Sequence, residues 1–204
     1  MAQTPTPPPK PDDIAGYGYG TAAVGPSPVS LAELDLLRQA AQLGPEEERW
    51  LHRAGEVLVD QADALVDHWR GIIAAHPHLA AYSAGLDGQP DPAYGAASRP
   101  RFVQWVRDVC QRPYDQAWLD YQHEIGLRHT HARKNQTDGV ASAPHIPLRY
   151  VLAFTAAVIT TTRPFLARGG RPAEEVERMY DAWCKAVILH VTLWSEAYVA
   201  LADW

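Results

Sequence analysis

The chain has 204 residues, of which 47% are hydrophobic, and a formal net charge of −6 at pH 7. Such a chain can bury a sizeable core in one domain, and its acidic balance argues against a nucleic-acid partner. No apolar run approaches the roughly 20 residues that span a bilayer, so we expect no membrane partner either.

Proline-rich sequence opens the chain, and it lacks the hydrophobic region of a secretory signal. We therefore predict a flexible tail over residues 1–13 and a single folded domain over residues 14–204. Cys110 and Cys184 lie in apolar helical patterns and form no CxxC pair. We expect two buried thiols in a cytoplasmic protein, although a disulfide between them stays open.

Start and stop signals divide the first half of the chain into helices. A capping box that begins at Ser30 precedes the first predicted helix, which ends at Gly44. Pro45 opens a second helical region that runs to about residue 75, with a bend near Gly55 as one option. A loop follows, and the next helix is predicted over residues 93–110.

The second half of the chain is predicted to contain three more helices. The first covers residues 114–131 and the second covers residues 148–168, with a loop over residues 135–147 between them. The last helix starts at Pro172 and runs to about residue 201. No segment shows the alternating pattern of a strand, so the sequence predicts an all-α fold.

One histidine lies on the apolar face of the predicted helix over residues 114–131. Three side chains fall within about 40° of His129 at 100° per residue, and Tyr121 lies at the edge of this face. The three are Trp118, Gln122 and Ile125. Two interpretations are open at this point, because a lone inward histidine can be an ordinary core residue or an axial ligand to haem iron.

Apolar stripes on two other helices are candidates for the wall of a pocket. The members of the first are Phe102, Trp105, Val106 and Val109, and those of the second are Val151, Phe154 and Val158. Apolar stripes at helical spacing are usually core, so these patterns alone indicate buried helix faces and no particular ligand.

The segment of residues 114–138, YDQAWLDYQHEIGLRHTHARKNQTD, resembles the proximal region of the protoglobins. These are single-domain haem proteins related to the globin domains of globin-coupled sensors. Other segments resemble the same family in order and spacing, namely IAGYGYG, AGEVLVDQADALVDHW, HPHL, RPFLARGG and YDAWCKAVILHVTLWSEAYV. The resemblance spans about residues 14–204 and implies an all-α, globin-like fold with an extra N-terminal helix.

The resemblance also implies a cofactor and the residues around it. The cofactor would be haem b, bound without covalent attachment because no CxxCH motif is present. His129 would be the proximal ligand of a five-coordinate iron. In the family, the position of Phe102 faces the ligand side of the haem and that of Arg101 lies near a propionate. The full set of expected haem contacts is Trp69, Arg101, Phe102, Tyr121, Ile125, Phe154 and Val158.

The pair Trp69–Arg70 departs from the family, which usually has Trp-Tyr at these positions. Arg70 could reach along the pocket wall to the surface or to a propionate. Alternatively, it could act as a distal catalytic group that offers donors to a small ligand at the sixth coordination site. A short basic cluster of Arg128, Arg133 and Lys134 indicates either a solvated helix end or the neighbourhood of a propionate.

The sequence and the resemblance leave three possible functions open. The first is reversible binding of dioxygen, carbon monoxide or nitric oxide. The second is a haem enzyme, such as a peroxidase, nitric oxide dioxygenase or nitrite reductase, that uses Arg70 on a small anionic ligand. The third is a gas-sensor module that acts through a partner protein.

A homodimer through the last two long helices is the expected assembly. Relatives dimerise in this way, and the last helix carries more apolar residues than one core would absorb. These residues are Trp183, Val187, Trp194 and Tyr198.

Overall fold

The computed structural model describes residues 10–204. Over these residues the protein is all-helical, with seven α-helices of ten or more residues, one short helix and no β-strand apart from two isolated bridges. The helices are α1 (Leu31–Ala40), α2 (Pro45–Leu58), α3 (Ala62–Ala75), α4 (Pro77–Ala80), α5 (Pro92–Gln111), α6 (Gln116–Leu127), α7 (Leu148–Ala167) and α8 (Ala173–Ser195). The predicted all-α, globin-like fold is confirmed.

Side-chain caps fix several helix starts. The hydroxyl of Ser30 accepts the backbone N–H of Glu33 at 3.1 Å, which caps α1. Asp91 and Asp115 cap α5 and α6 in the same manner. Each cap satisfies one backbone N–H group that has no partner inside its own helix, so the starts are encoded locally.

The helical region predicted from Pro45 to about residue 75 is interrupted, but not near Gly55, where a bend was one option. The chain breaks instead at a 3-10 turn, Val59–Gln61, between α2 and α3. Gly55 has a packing role, because a Cβ atom there would lie 3.0 Å from the Cβ of Cys110 on α5. The glycine therefore permits close approach of two helices and bends neither of them.

Helix ends also differ from the prediction. The first helix ends at Ala40 instead of Gly44, and the chain then reverses through Gln42, which has a φ of 53°. α6 ends at Leu127, four residues earlier than predicted, because the following N–H groups bond three residues back: His129 to Gly126 and Thr130 to Leu127. α8 ends at Ser195 instead of about residue 201.

The core forms where α2, α5 and α7 pack against α8. Trp69, Met179 and Trp183 are fully buried in it. Trp183 and Val187 are thus absorbed by one core and give no support to the expected homodimer, which stays a prediction. The large exposed apolar residues on the last two long helices are Leu152 at 52% and Ile188 at 51% exposure.

Among residues 10–204, α7 is the one helix that is long and apolar enough to cross a membrane. It has 20 residues with a mean hydropathy of 1.3, enough by length and composition to cross a bilayer, and 22% of the apolar window is buried. The expectation that no apolar run is long enough therefore fails for α7. A poorly covered apolar helix face is typical of a surface that contacts a second protein or a membrane.

The predicted tail lies mostly outside the described residues. Its last part, Pro11–Asp13, forms a 3-10 turn, and Ile14 is buried directly after it. Both cysteines are free: Cys110 is buried, whereas Cys184 is half-buried, contrary to the prediction. Burial raises the pKa of the Cys110 thiol to about 12.

Candidate functional site

His129 lies two residues beyond the end of α6, and two local hydrogen bonds orient it. Its backbone N–H donates to the carbonyl of Gly126 at 3.0 Å. Its Nδ1 lies 2.8 Å from the carbonyl oxygen of Ile125. Because a carbonyl can only accept, Nδ1 carries the proton in this contact and Nε2 keeps its lone pair. This is the tautomer that a metal-binding histidine uses.

The charge state of His129 also suits a ligand. His129 is half-buried as a residue, yet desolvation of its imidazole lowers the pKa below the ordinary value. The hydrogen bond to Ile125 opposes this shift, and the nearby charges of Lys134 and Arg128 add to it. The imidazole is therefore neutral at pH 7, which leaves Nε2 available for coordination.

A close crossing of α6 and α8 builds the wall beside this imidazole. A Cβ on Gly126 would lie 3.0 Å from the carbonyl oxygen of Trp194, so only glycine allows the two backbones to approach so closely. The Trp194 indole stacks on His129 with ring centroids 5.5 Å apart and planes inclined by 17°. Trp194 Nε1 donates to Gln122 at 3.0 Å, which fixes the indole in place.

Aromatic contacts continue from Trp194 to the predicted distal residues. The Trp194 ring lies 5.7 Å from Trp105, which lies 6.1 Å from Trp69. Trp69 in turn packs on Phe102 at 5.3 Å and donates from Nε1 to Thr161 at 2.9 Å. The structure therefore connects the predicted proximal and distal positions through one aromatic cluster.

Several predicted contacts lie at the edge of the core. Phe102, Ile125 and Phe154 are half-buried and pack against the buried cluster, whereas Val158 is buried within it. With Trp194, these side chains offer an apolar surface that a flat apolar ligand would cover.

Tyr121 has other neighbours than the predicted ones. Its ring packs on Tyr17 and Tyr19 of the N-terminal segment, at 5.1 and 5.6 Å. The guanidinium of Arg128 lies 5.6 Å from the same ring. The predicted shared face with His129 assumed one continuous helix, but α6 ends before His129.

Arg101 connects three segments of the chain. Its guanidinium donates to Asp138 at 2.9 and 2.6 Å and to the carbonyl of Ala15 at 2.8 Å. Gly16, at a φ of +73°, lies so close that a Cβ there would be 2.9 Å from Nη1 of Arg101. Arg101 therefore ties α5 to the N-terminal segment and to the loop that follows His129, and its charge is already paired.

Arg70 lies against the first turns of α5. Its Nη1 is 3.5 Å from the hydroxyl of Ser98, and its Nη2 is 2.9 Å from the position that a Cβ on Gly95 would take. The absent side chain of Gly95 thus leaves room for the guanidinium. This placement agrees with an arginine that extends along a helix surface.

A second histidine, which the sequence did not predict as buried, lies in the core. His190 accepts the N–H of Trp105 at 3.1 Å through Nδ1, and it packs edge-on against Trp118 at 5.1 Å. Nε2 then carries the proton, and it is buried without a partner. Burial lowers the pKa of His190 to about 3. A protonated Nε2 has no lone pair for a metal, so His129 is the better ligand.

Two clefts in the part of the chain that the structure describes are lined by residues outside the aromatic cluster. A cleft of about 560 Å³ lies beside the loop after His129, and its lining includes Thr130, His131, His145 and Tyr198. His131 and His145 stack there with ring centroids 4.7 Å apart. None of the predicted haem contacts lines this cleft, so it is separate from the candidate site.

The residues present fit a haem. His129 offers one neutral nitrogen with its tautomer fixed, and the half-buried Trp194, which packs against the apolar core, stacks on its ring. A buried lysine ammonium nearby, Lys134, has no carboxylate partner among the described residues. Together, a helical fold and such a site define the class of haem-binding globins.

A comparison with protein families places the chain within this class. The family model described as Protoglobin matches residues 30–203, so the chain belongs to the protoglobin family and is a haem globin. A search of curated proteins finds no match.

Proposed function

We propose that this protein binds haem b through Nε2 of His129 and uses it to bind dioxygen, carbon monoxide or nitric oxide reversibly. The observation that carries the proposal is the contact of His129 Nδ1 with the Ile125 carbonyl at 2.8 Å. This contact fixes the tautomer and ring orientation that ligation needs. Bound haem would supply an iron atom with one position left for a gas.

The remaining residues have binding and shielding roles in this proposal. Trp194 restricts rotation of the imidazole by stacking on it. Trp69, Phe102, Phe154 and Val158 would form apolar walls that exclude water from the ligand side. A dry pocket favours reversible gas binding, because water and protons promote oxidation of the iron.

The haem-enzyme alternative depends on Arg70. A catalytic role would require the guanidinium to leave its position beside Gly95 and Ser98. Since the contact with Ser98 is long, the tether is weak, but the observed placement supports gas binding as the primary function.

The proposal is tested by haem titration followed by carbon monoxide difference spectra of the dithionite-reduced protein. We expect wild type and His131→Ala to give a five-coordinate ferrous spectrum and a carbonyl spectrum. His129→Ala should lose haem or show an altered spectrum. His131 is the matched control, because it lies in the same loop and its ring stacks on His145. Equal spectra for all three proteins would contradict the proposal.

We further propose a cytoplasmic homodimer formed by α7 and α8. Its support is the exposure of Leu152 and Ile188 on the outer faces of these helices, together with the low burial of α7. Two free thiols suit a reducing compartment.

A further inference from the structure

Lys134 is the least expected charge in the interior of this protein. Its side chain is buried, with 2% of the residue exposed, and it follows His129 by five positions. Its nearest polar neighbours are neutral and distant: Oδ1 of Asn135 at 3.5 Å and the hydroxyl of Ser142 at 3.4 Å. The ammonium also lies 5.2 Å from the ring centroid of Tyr94.

Three cations in this part of the chain have carboxylate partners, whereas Lys134 has none among the described residues. Arg128 and Arg133 both pair with the buried carboxylate of Glu124, and Arg101 pairs with Asp138. Among residues 10–204, no carboxylate oxygen lies within 4.0 Å of the Lys134 ammonium. An unpaired buried charge is costly, so this position is suited to an anion from outside the chain.

The lysine remains a cation despite its burial. Desolvation lowers the pKa of Lys134 from 10.5 to about 8, which leaves most of the side chain protonated at pH 7.

Hydrogen bonds hold the surroundings of the ammonium in place. The Ser142 hydroxyl donates to the carbonyl of Tyr82 at 3.3 Å, so its oxygen lone pairs face other donors such as Lys134. Asn135 Nδ2 donates to the Ser142 carbonyl at 2.6 Å. Ser142 also forms an isolated bridge with Gly85. The loop that carries Lys134 is thus fixed before any ligand binds.

We propose that Lys134 binds a haem propionate, the carboxylate that the fold itself does not supply. This inference rests on the proposed haem site and adds an anchoring residue to it. Arg101, which the resemblance placed near a propionate, already has its guanidinium bonded to Asp138 and Ala15. Unlike Arg101, Lys134 has no carboxylate partner among the described residues, and it follows the proposed iron ligand by five positions.

The test compares haem with haem dimethyl ester, whose propionates carry no charge. Haem loss to an excess of apomyoglobin is measured for wild type, Lys134→Met and Lys185→Met. We expect Lys134→Met to lose haem about tenfold faster or more, as for a charge-assisted hydrogen bond. With the dimethyl ester, it should lose the cofactor at the wild-type rate. Lys185, a half-buried lysine on α8 that pairs with Glu47 and Asp181, is the matched control.

The outcomes separate this inference from the proposed function. Failure of wild type to take up either cofactor would overturn the haem site itself. Uptake by wild type, with equal haem loss from Lys134→Met and wild type, would overturn only the role of Lys134. If Lys134→Met does not fold, Lys134→Arg keeps the charge and should retain haem longer than the dimethyl ester is retained. If Lys134→Arg and wild type each retained haem and haem dimethyl ester equally long, the inference would also be overturned.

Discussion

Burial controls the protonation of both interior histidines, and His190 shows the larger effect. Its pKa falls from 6.5 to about 3 because three indole rings surround it and no charge compensates for the lost solvent. Between these two values the unfolded chain binds a proton that the folded chain does not. The stability contributed by neutral His190 is therefore complete above about pH 6.5 and declines as the pH falls towards 3.

Replacement of His190 by glutamine should weaken the loss of stability that wild type shows as the pH falls below 6.5. We expect the free energy of unfolding of wild type to fall by up to about 1.4 kcal/mol per pH unit from this group. His190→Gln should lose that slope and still offer Trp105 an acceptor. Urea titrations between pH 4.5 and 7 measure this slope of the unfolding free energy against pH. His52→Gln, at an exposed position on α2, serves as the control. An unchanged slope in His190→Gln would show that the group is not buried in its neutral form.

Arg70 provides the test between gas binding and enzymatic turnover. Because its guanidinium lies beside Gly95 and Ser98, we expect Arg70→Leu to change gas dissociation rates by less than about fivefold, the value of one hydrogen bond. Stopped-flow displacement measures these rates, and peroxide and nitrite turnover are assayed in parallel with Arg53→Leu on the surface. A turnover that collapses only in Arg70→Leu would favour the enzyme.

Close helix contacts decide the arrangement of elements around His129. Gly126→Ala would place a methyl group 3.0 Å from the backbone of Trp194, where backbone cannot yield as a flexible side chain would. We expect a loss of about 1–3 kcal/mol in stability together with weaker haem retention. Gly71→Ala on α3 is the matched control, because nothing lies within 4 Å of the added Cβ. That variant should gain about 0.4–1 kcal/mol. Similar chemical denaturation midpoints for the two variants would show that the crossing is not tight.

Element starts were predictable from sequence, whereas some ends and breaks were not. Ser30 caps α1, and Pro45 opens α2, because both signals act through adjacent backbone. The break at Val59–Gln61 and the end of α6 before His129 depend on packing between distant segments. The packing of Tyr121 against the N-terminal segment could not be predicted for the same reason, since its neighbours lie about a hundred residues away in sequence.

The candidate site was partly predictable for a similar reason. Helical spacing and family resemblance indicated His129, and the i−4 contact with Ile125 preserves its relation to α6 beyond the helix end. Arg128 and Arg133 pair with a carboxylate and Lys134 does not. This difference could not be predicted, because it depends on which cations reach the buried Glu124. Sequence showed a basic cluster, and only the fold shows which member lacks a partner.

Assembly of the whole molecule is tested at the exposed faces of α7 and α8. If these helices form a dimer, Leu152→Asp combined with Ile188→Asp should place charges in an apolar interface and yield a monomer. Leu36→Asp is the control, since Leu36 on α1 is 62% exposed but lies outside the proposed interface. Light scattering at micromolar concentration reports the mass. A monomeric wild type, or a double variant that remains dimeric, would contradict this interface.

The central claim is that Nε2 of His129 ligates the haem iron, and cavity complementation tests it most directly. His129→Gly is reconstituted with haem, and its ferrous and carbonyl spectra are recorded before and after addition of imidazole. We predict altered or absent haem binding in the variant and recovery of the wild-type spectra when imidazole enters the vacated space. Wild-type spectra in His129→Gly without imidazole would contradict the claim, and His190→Gln would then be the next variant to examine.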